Sequence, residues 1–181
     1  MSWNLEDTSA GNGTGGGKLN YTKFQEGLTE IRVLDEVPHM RWSHWLPQFK
    51  RNITCPGMSC PICQLNKKLK ADGGKAKYDN GRKWSLNIHN YNTGQHELME
   101  EGLKFMEELR EILEEAKKAG NSLTSTIISI KRRQGADGKA VWRMDVKEYS
   151  EPSEEILAYE LVDRMEYYKA PTDEQVQQLL E

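Results

Sequence analysis

Apolar and polar residues alternate along several short stretches of this chain, and that alternation is the first guide to its architecture. In residues 27–34 (GLTEIRVL), Thr29, Ile31 and Val33 fall on one parity and Leu28, Glu30, Arg32 and Leu34 on the other. This is strand spacing, with Ile31 and Val33 turned to a core. Residues 40–46 (MRWSHWL) predict a second strand, with Trp42 and His44 on one face and Arg41, Ser43 and Trp45 on the other. The cleanest alternation covers residues 83–91, where Trp84, Leu86 and Ile88 oppose Lys83, Ser85, Asn87 and His89. A short partner strand is expected at 94–99, after a turn at 92–94.

The period then changes. Leu103, Met106, Leu109, Ile112, Leu113 and Ala116 recur at helical spacing and Gly120 closes the run, so residues 103–119 predict an amphipathic helix. Its opposite face carries Glu107, Glu108, Glu111, Glu114 and Glu115, which makes it a poor nucleic-acid surface. Residues 124–133 and 139–149 predict a hairpin around the glycine-bearing turn 134–138. Beyond Pro152, an amphipathic helix is expected over 154–165 (Ile156, Leu157, Leu161, Val162, Met165), and a last short helix starts at Thr172, whose spacing to Gln175 is that of a capping box. Five or six strands with one internal helix predict a mainly β (α+β) domain. The nearest small architecture is the OB-fold, a five-stranded Greek-key β-barrel, here with an inserted zinc-binding loop and C-terminal helices. A zinc ribbon with separate helices is the rival.

Composition refines the boundaries. The chain has 181 residues, enough for one domain with tails, and only 36% are hydrophobic. Mean hydropathy is -0.80, and no apolar run approaches the ~20 residues of a membrane span. A cytoplasmic protein with reduced thiols is expected. Residues 1–17 are rich in Gly, Ser, Thr and Asn and are expected to form a flexible arm. Residues 18–150 are expected to be the barrel domain, with a zinc subdomain at about 39–75, and residues 151–181 an acidic C-terminal region. The net charge of -3 is unevenly spread: residues 148–181 hold ten acidic and two basic residues, a net of -8, which leaves +5 for residues 1–147. A basic body points to a polyanionic partner, and an acidic end to a separate role.

The candidate chemistry sits between residues 44 and 63 (HWLPQFKRNITCPGMSCPIC), a stretch that contains all three cysteines. Cys55, Cys60 and Cys63 form a C-x4-C-x2-C pattern with His44 upstream. Three thiols and an imidazole are a ligand set for one structural Zn²⁺. The prolines after Cys55 and Cys60, with Gly57, favour tight turns around such an ion. An odd cysteine count clustered within nine positions argues against a disulfide framework. His39, an Asp or a water are the competing fourth ligands. A basic helix is expected after the cysteines, over residues 64–77, leading into a loop at Gly73–Gly74.

Aromatic and cationic residues are interleaved in the body, which suits single-stranded nucleic acid: bases stack on rings while Lys and Arg follow phosphates. The pairs are Arg41/Trp42, Lys77/Tyr78, Lys83/Trp84 and Trp142/Arg143, with Arg51 near Phe49, and Lys67, Lys68, Lys131 and Arg132 nearby. Enzyme signatures are missing. There is no G-x-x-x-x-G-K-[ST] loop, no H-E-x-x-H and no H-x-E before a Pro-Cys-x-x-Cys, and four protein ligands would close the zinc to substrate.

Residues 41–47 (RWSHWLP), the 55–63 block (CPGMSCPIC), the strand at 83–87 (KWSLN) and the late segments 128–135 and 141–149 together resemble bacteriophage single-stranded DNA-binding proteins. These are zinc-containing OB-fold relatives of the T-even phage helix-destabilising protein. The likeness spans about residues 28–150. It implies His44, Cys55, Cys60 and Cys63 as zinc ligands and a non-enzymatic protein that coats unwound DNA in replication, recombination and repair, with self-association on the strand. It also implies that the acidic C-terminal region recruits replication or recombination proteins. The end of this chain departs from the pattern, since it carries two expected helices rather than a pure Asp/Glu run. The other function considered is a zinc-stabilised adaptor or transcription factor that binds protein or duplex DNA.

Overall fold

The computed structural model describes residues 20–181; the expected flexible arm lies outside them. Among the described residues, seven strands form one antiparallel sheet: β1 (Gly27–Val33), β2 (His39–Leu46), β3 (Arg51–Thr54), β4 (Asn80–Asn90), β5 (Gln95–Glu101), β6 (Thr126–Gln134) and β7 (Ala140–Tyr149). Helix α1 (Pro61–Ala71) follows β3, and α2 (Leu103–Lys118) joins β5 to β6. Three short helices, α3 (Glu154–Leu157), α4 (Arg164–Tyr167) and α5 (Asp173–Leu180), end the chain. None of the helices is long and apolar enough to cross a membrane.

The sheet is organised around β4. One of its edges pairs with β2 along residues 80–85 and with β1 along 88–90, and the other pairs with β5 along 84–90. β1 continues to β6, and β6 to β7. The main core follows the predicted parity: Ile31 and Val33, Leu86 and Ile88, Met99, Ile128 and Ile130, and Met144 meet Phe105, Leu109 and Ile112 of α2. Burying side chains of this size contributes about 1.5–3 kcal/mol each.

The expected closed five-stranded barrel does not form. No ladder joins β5 to β7 among the described residues, and the free edge of β5 is taken instead by residues 20–22. Leu98 N–H donates to the Asn20 carbonyl (2.8 Å) and Thr22 N–H to the Leu98 carbonyl (3.0 Å). Phe24 then enters the core against Phe105 and Trp142.

The expected helix over 154–165 is also interrupted. Residues 159–163 leave the helix and cross the polar face of β4, where Val162 N–H donates to Asn87 Oδ1 (3.0 Å) and Asn87 Nδ2 returns a bond to the Val162 carbonyl (3.2 Å). Asp163 then caps a new helix by accepting from the Met165 and Glu166 amides. The covering segment is further held by His89–Tyr159 (3.1 Å), by Arg164 donating to the Ser85 carbonyl, and by an Arg164–Asp35 ion pair (3.0 Å). Both faces of β4 are therefore buried from Ser85 to Asn90. Ile156 points inward, whereas Leu157, Leu161 and Met165 remain exposed.

Candidate metal centre and basic aromatic face

The four predicted ligands come from three elements. His44 lies on β2 and is fully buried, Cys55 follows β3, Cys60 is the residue before α1, and Cys63 sits in its first turn. Cys55 is fixed by its N–H bond to the Trp42 carbonyl (2.9 Å), so the ladder that pairs β2 with β3 brings thiol and imidazole together. Gly57 adopts φ +114, a conformation that a residue with a Cβ rarely takes, and its carbonyl accepts from Cys60 N–H. Pro61 starts α1, where its missing N–H costs nothing.

The four donor atoms lie within 4.8 Å of one another. His44 Nε2 is 3.4 Å from Cys60 Sγ and 3.5 Å from Cys63 Sγ, and Cys55 Sγ is 3.8 Å from Cys63 Sγ. A tetrahedral ion with Zn–S about 2.3 Å and Zn–N about 2.0 Å requires edges of about 3.8 Å between sulfurs and about 3.6 Å from sulfur to nitrogen. The donor set therefore fits a single tetrahedral metal ion. Burial raises the Cys60 thiol above its ordinary range and, with the Cys55 hydrogen bond, pushes Cys63 up to about 12. Without metal these thiols hold their protons, so ion uptake must release them. Burial lowers the His44 pKa, opposed by the Asp79 backbone. A neutral imidazole is the form that coordinates. His39 stands outside the cluster and stacks on Tyr168.

A second core wraps the centre. Leu46, Ile53, Cys60, Ile62 and Tyr78 pack with Val176 and Leu179 of α5. The C-terminal helix α5, more than a hundred residues beyond Cys63 in sequence, thus covers the candidate metal centre. Only the apolar spacing of Val176, Leu179 and Leu180 hinted at a buried face there.

The predicted nucleic-acid residues divide into two groups. Arg41 and Tyr78 are withdrawn from the surface. Arg41 is 7% exposed, ion-paired with Glu100 and lying over the Tyr168 ring at 4.2 Å; Tyr78 is 2% exposed and belongs to the second core. Neither offers a face to a base. Trp42 is half exposed, and Arg82 lies over both Trp42 (5.8 Å) and Trp84 (5.6 Å). Arg82 was missed by a reading that paired sequence neighbours. It is the direct cross-strand partner of Trp42, with Trp84 two positions on. Arg132 likewise lies over its cross-strand partner Trp142 at 5.8 Å, while Trp142 packs its edges on Phe24 and Phe105.

Lys131 and Arg143 are exposed on the same hairpin, Arg143 paired with Asp145. Lys67 and Lys68 are exposed on α1, and Lys77 places its ammonium 5.2 Å from the Tyr78 ring. Arg51 lies 5.7 Å from the Phe49 ring, and Lys83 is half buried opposite Arg41. No protein-family model matches this chain, and no curated protein or solved structure is significantly similar to it.

Proposed function

We propose that this protein binds single-stranded DNA without sequence preference and coats unwound strands in phage replication and recombination, inside the bacterial host cell. The observation that carries the reading is the Trp42–Arg82–Trp84 stack, in which half-exposed Trp42 and exposed Arg82 lead to a partly buried Trp84 ring. Unpaired bases stack on such rings while cations hold the phosphates. One structural Zn²⁺ on His44, Cys55, Cys60 and Cys63 would fix the β2–β3 arm that presents Trp42.

The pairing pattern supports a partly open OB-type barrel built from β1, β4, β5, β6 and β7, with α2 between its third and fourth strands. In that reading the metal insertion occupies the loop between the first and second barrel strands, and the basic β6–β7 turn the loop between the fourth and fifth. Those are the two loops such barrels use for oligonucleotides. The acidic C-terminal region, residues 151–181, with Leu157, Leu161 and Met165 outward, is the proposed dock for replication or recombination proteins.

The test is a fluorescence-anisotropy titration with labelled oligo-dT at two salt concentrations beside a duplex of equal length, repeated with Arg82→Ala. Single strands should bind more tightly, with log K falling by roughly 0.7 per phosphate contacted for each unit of log salt. Arg82→Ala should weaken binding about tenfold, since stacking on a platform of this kind is worth roughly 1–3 kcal/mol per base. Salt-insensitive binding, or equal affinity for duplex, would instead favour the adaptor or duplex-binding reading.

A further inference from the structure

A groove of about 320 Å³, with Trp84 in its lining, opens between β4 and α2. Its walls are Trp84, Leu86, Leu103, Met106 and Leu113, and Arg110 and Glu36 stand among its lining residues. Leu103 is 42% exposed, and Met106 and Leu113 are only partly buried, so this is apolar surface left open to solvent. Exposed apolar surface of this kind marks a ligand or partner. The size lies at the lower end of small-ligand pockets, about 300–1,000 Å³.

We infer that the groove receives one unstacked nucleobase of a bound single strand. This inference rests on the DNA-binding reading above. Trp84 decides the occupant, because its partly buried indole is both a wall of the groove and a partner of exposed Arg82 in the stack with Trp42. A strand whose bases lie on the Trp42–Arg82–Trp84 platform is led directly to the groove mouth. Aromatic and aliphatic walls suit the flat face of a base rather than its phosphate, which Glu36 and Glu107 in the lining would repel, while Arg110 and these carboxylates supply a donor and acceptors for its polar edge. Arg82, outside the groove, is placed to hold the phosphate that flanks the inserted nucleotide.

The test fills the groove and separates bases from backbone. Leu113→Trp, and as a second variant Leu103→Trp at an already exposed position, are compared with the wild-type chain by anisotropy. The two probes are labelled oligo-dT and an abasic deoxyribose-phosphate oligomer of equal length, and thermal melting verifies that each variant is folded. Filling the groove should weaken oligo-dT binding by about fivefold or more and leave the abasic oligomer unchanged. Equal losses on both probes would mean that the groove borders only the backbone path. No loss on either would assign the groove to a protein partner. Both results overturn the inference while the DNA-binding reading stands. A wild-type chain that binds neither probe overturns the DNA-binding reading itself.

Discussion

At the scale of single residues, the metal ligands carry the most consequence. Cys60 is fully buried, touches the second core and holds one corner of the donor cluster. Cys60→Ser should abolish stoichiometric zinc and lower the melting temperature. Zinc contributes on the order of 10–16 kcal/mol to isolated fingers. A loss of only about 3 kcal/mol would shift Tm by roughly 6–12 °C in a chain of this size. Elemental analysis and thermal melting check both, and unchanged zinc content would remove the metal assignment. The clustering of His44, Cys55, Cys60 and Cys63 was legible in the sequence because few residue types bind zinc and their spacing is tight. The aromatic–cation pairs were not. Successive residues in a strand point to opposite faces, so Arg41 and Trp42 part company and Trp42 meets Arg82 across the ladder. Tyr78 looked like a surface ring beside Lys77, but α5 arrives from far along the chain to cover the core that buries it.

At the scale of elements, the strands and α2 follow from local alternation, and the C-terminal segment does not. Leu157, Leu161 and Met165 fit a helical stripe, yet hydrogen bonds between Asn87 and the Val162 backbone stabilise a non-helical run instead. The polar parity of β4 gave no sign that a later segment would cover it. That cover has a pH dependence. Tyr159 stacks on both His89 and His96. Burial, then Arg32, holds His89 below its ordinary pKa against Glu155 and Glu97; burial also lowers His96, against Asp35 and Glu97. The folded state therefore takes up protons less readily than the unfolded one. The stability from these two groups is complete above the ordinary histidine value of about 6.5 and is lost as pH falls below it. Hydrogen exchange at residues 158–163 should accelerate between pH 7.5 and 5.5 beyond the intrinsic chemical change, and His89→Phe should flatten that response. Identical protection at both pH values would refute the linkage.

At the scale of the whole molecule, the two ends of the described chain are fastened to each other. Tyr21 donates to Tyr167 Oη (2.8 Å), and its ring lies 6.1 Å from that of Tyr167. Residues 20–22 occupy the β5 edge that a closed barrel would have given to another strand. The outer edge of β7 has no strand partner among the described residues, and charged Arg143 and Lys147 along it discourage pairing with a neighbour. β5 has a different defence, since Leu98 relies on the Asn20–Thr22 backbone for its outward hydrogen bonds. A chain shortened to begin at residue 25 would leave that ladder bare and also remove Phe24 from the core. Light scattering at micromolar concentration should then report self-templated aggregation that the full-length chain escapes. For anyone attaching a tag or trimming this protein for crystals, residues 20–24 belong with the folded body although they precede the first strand.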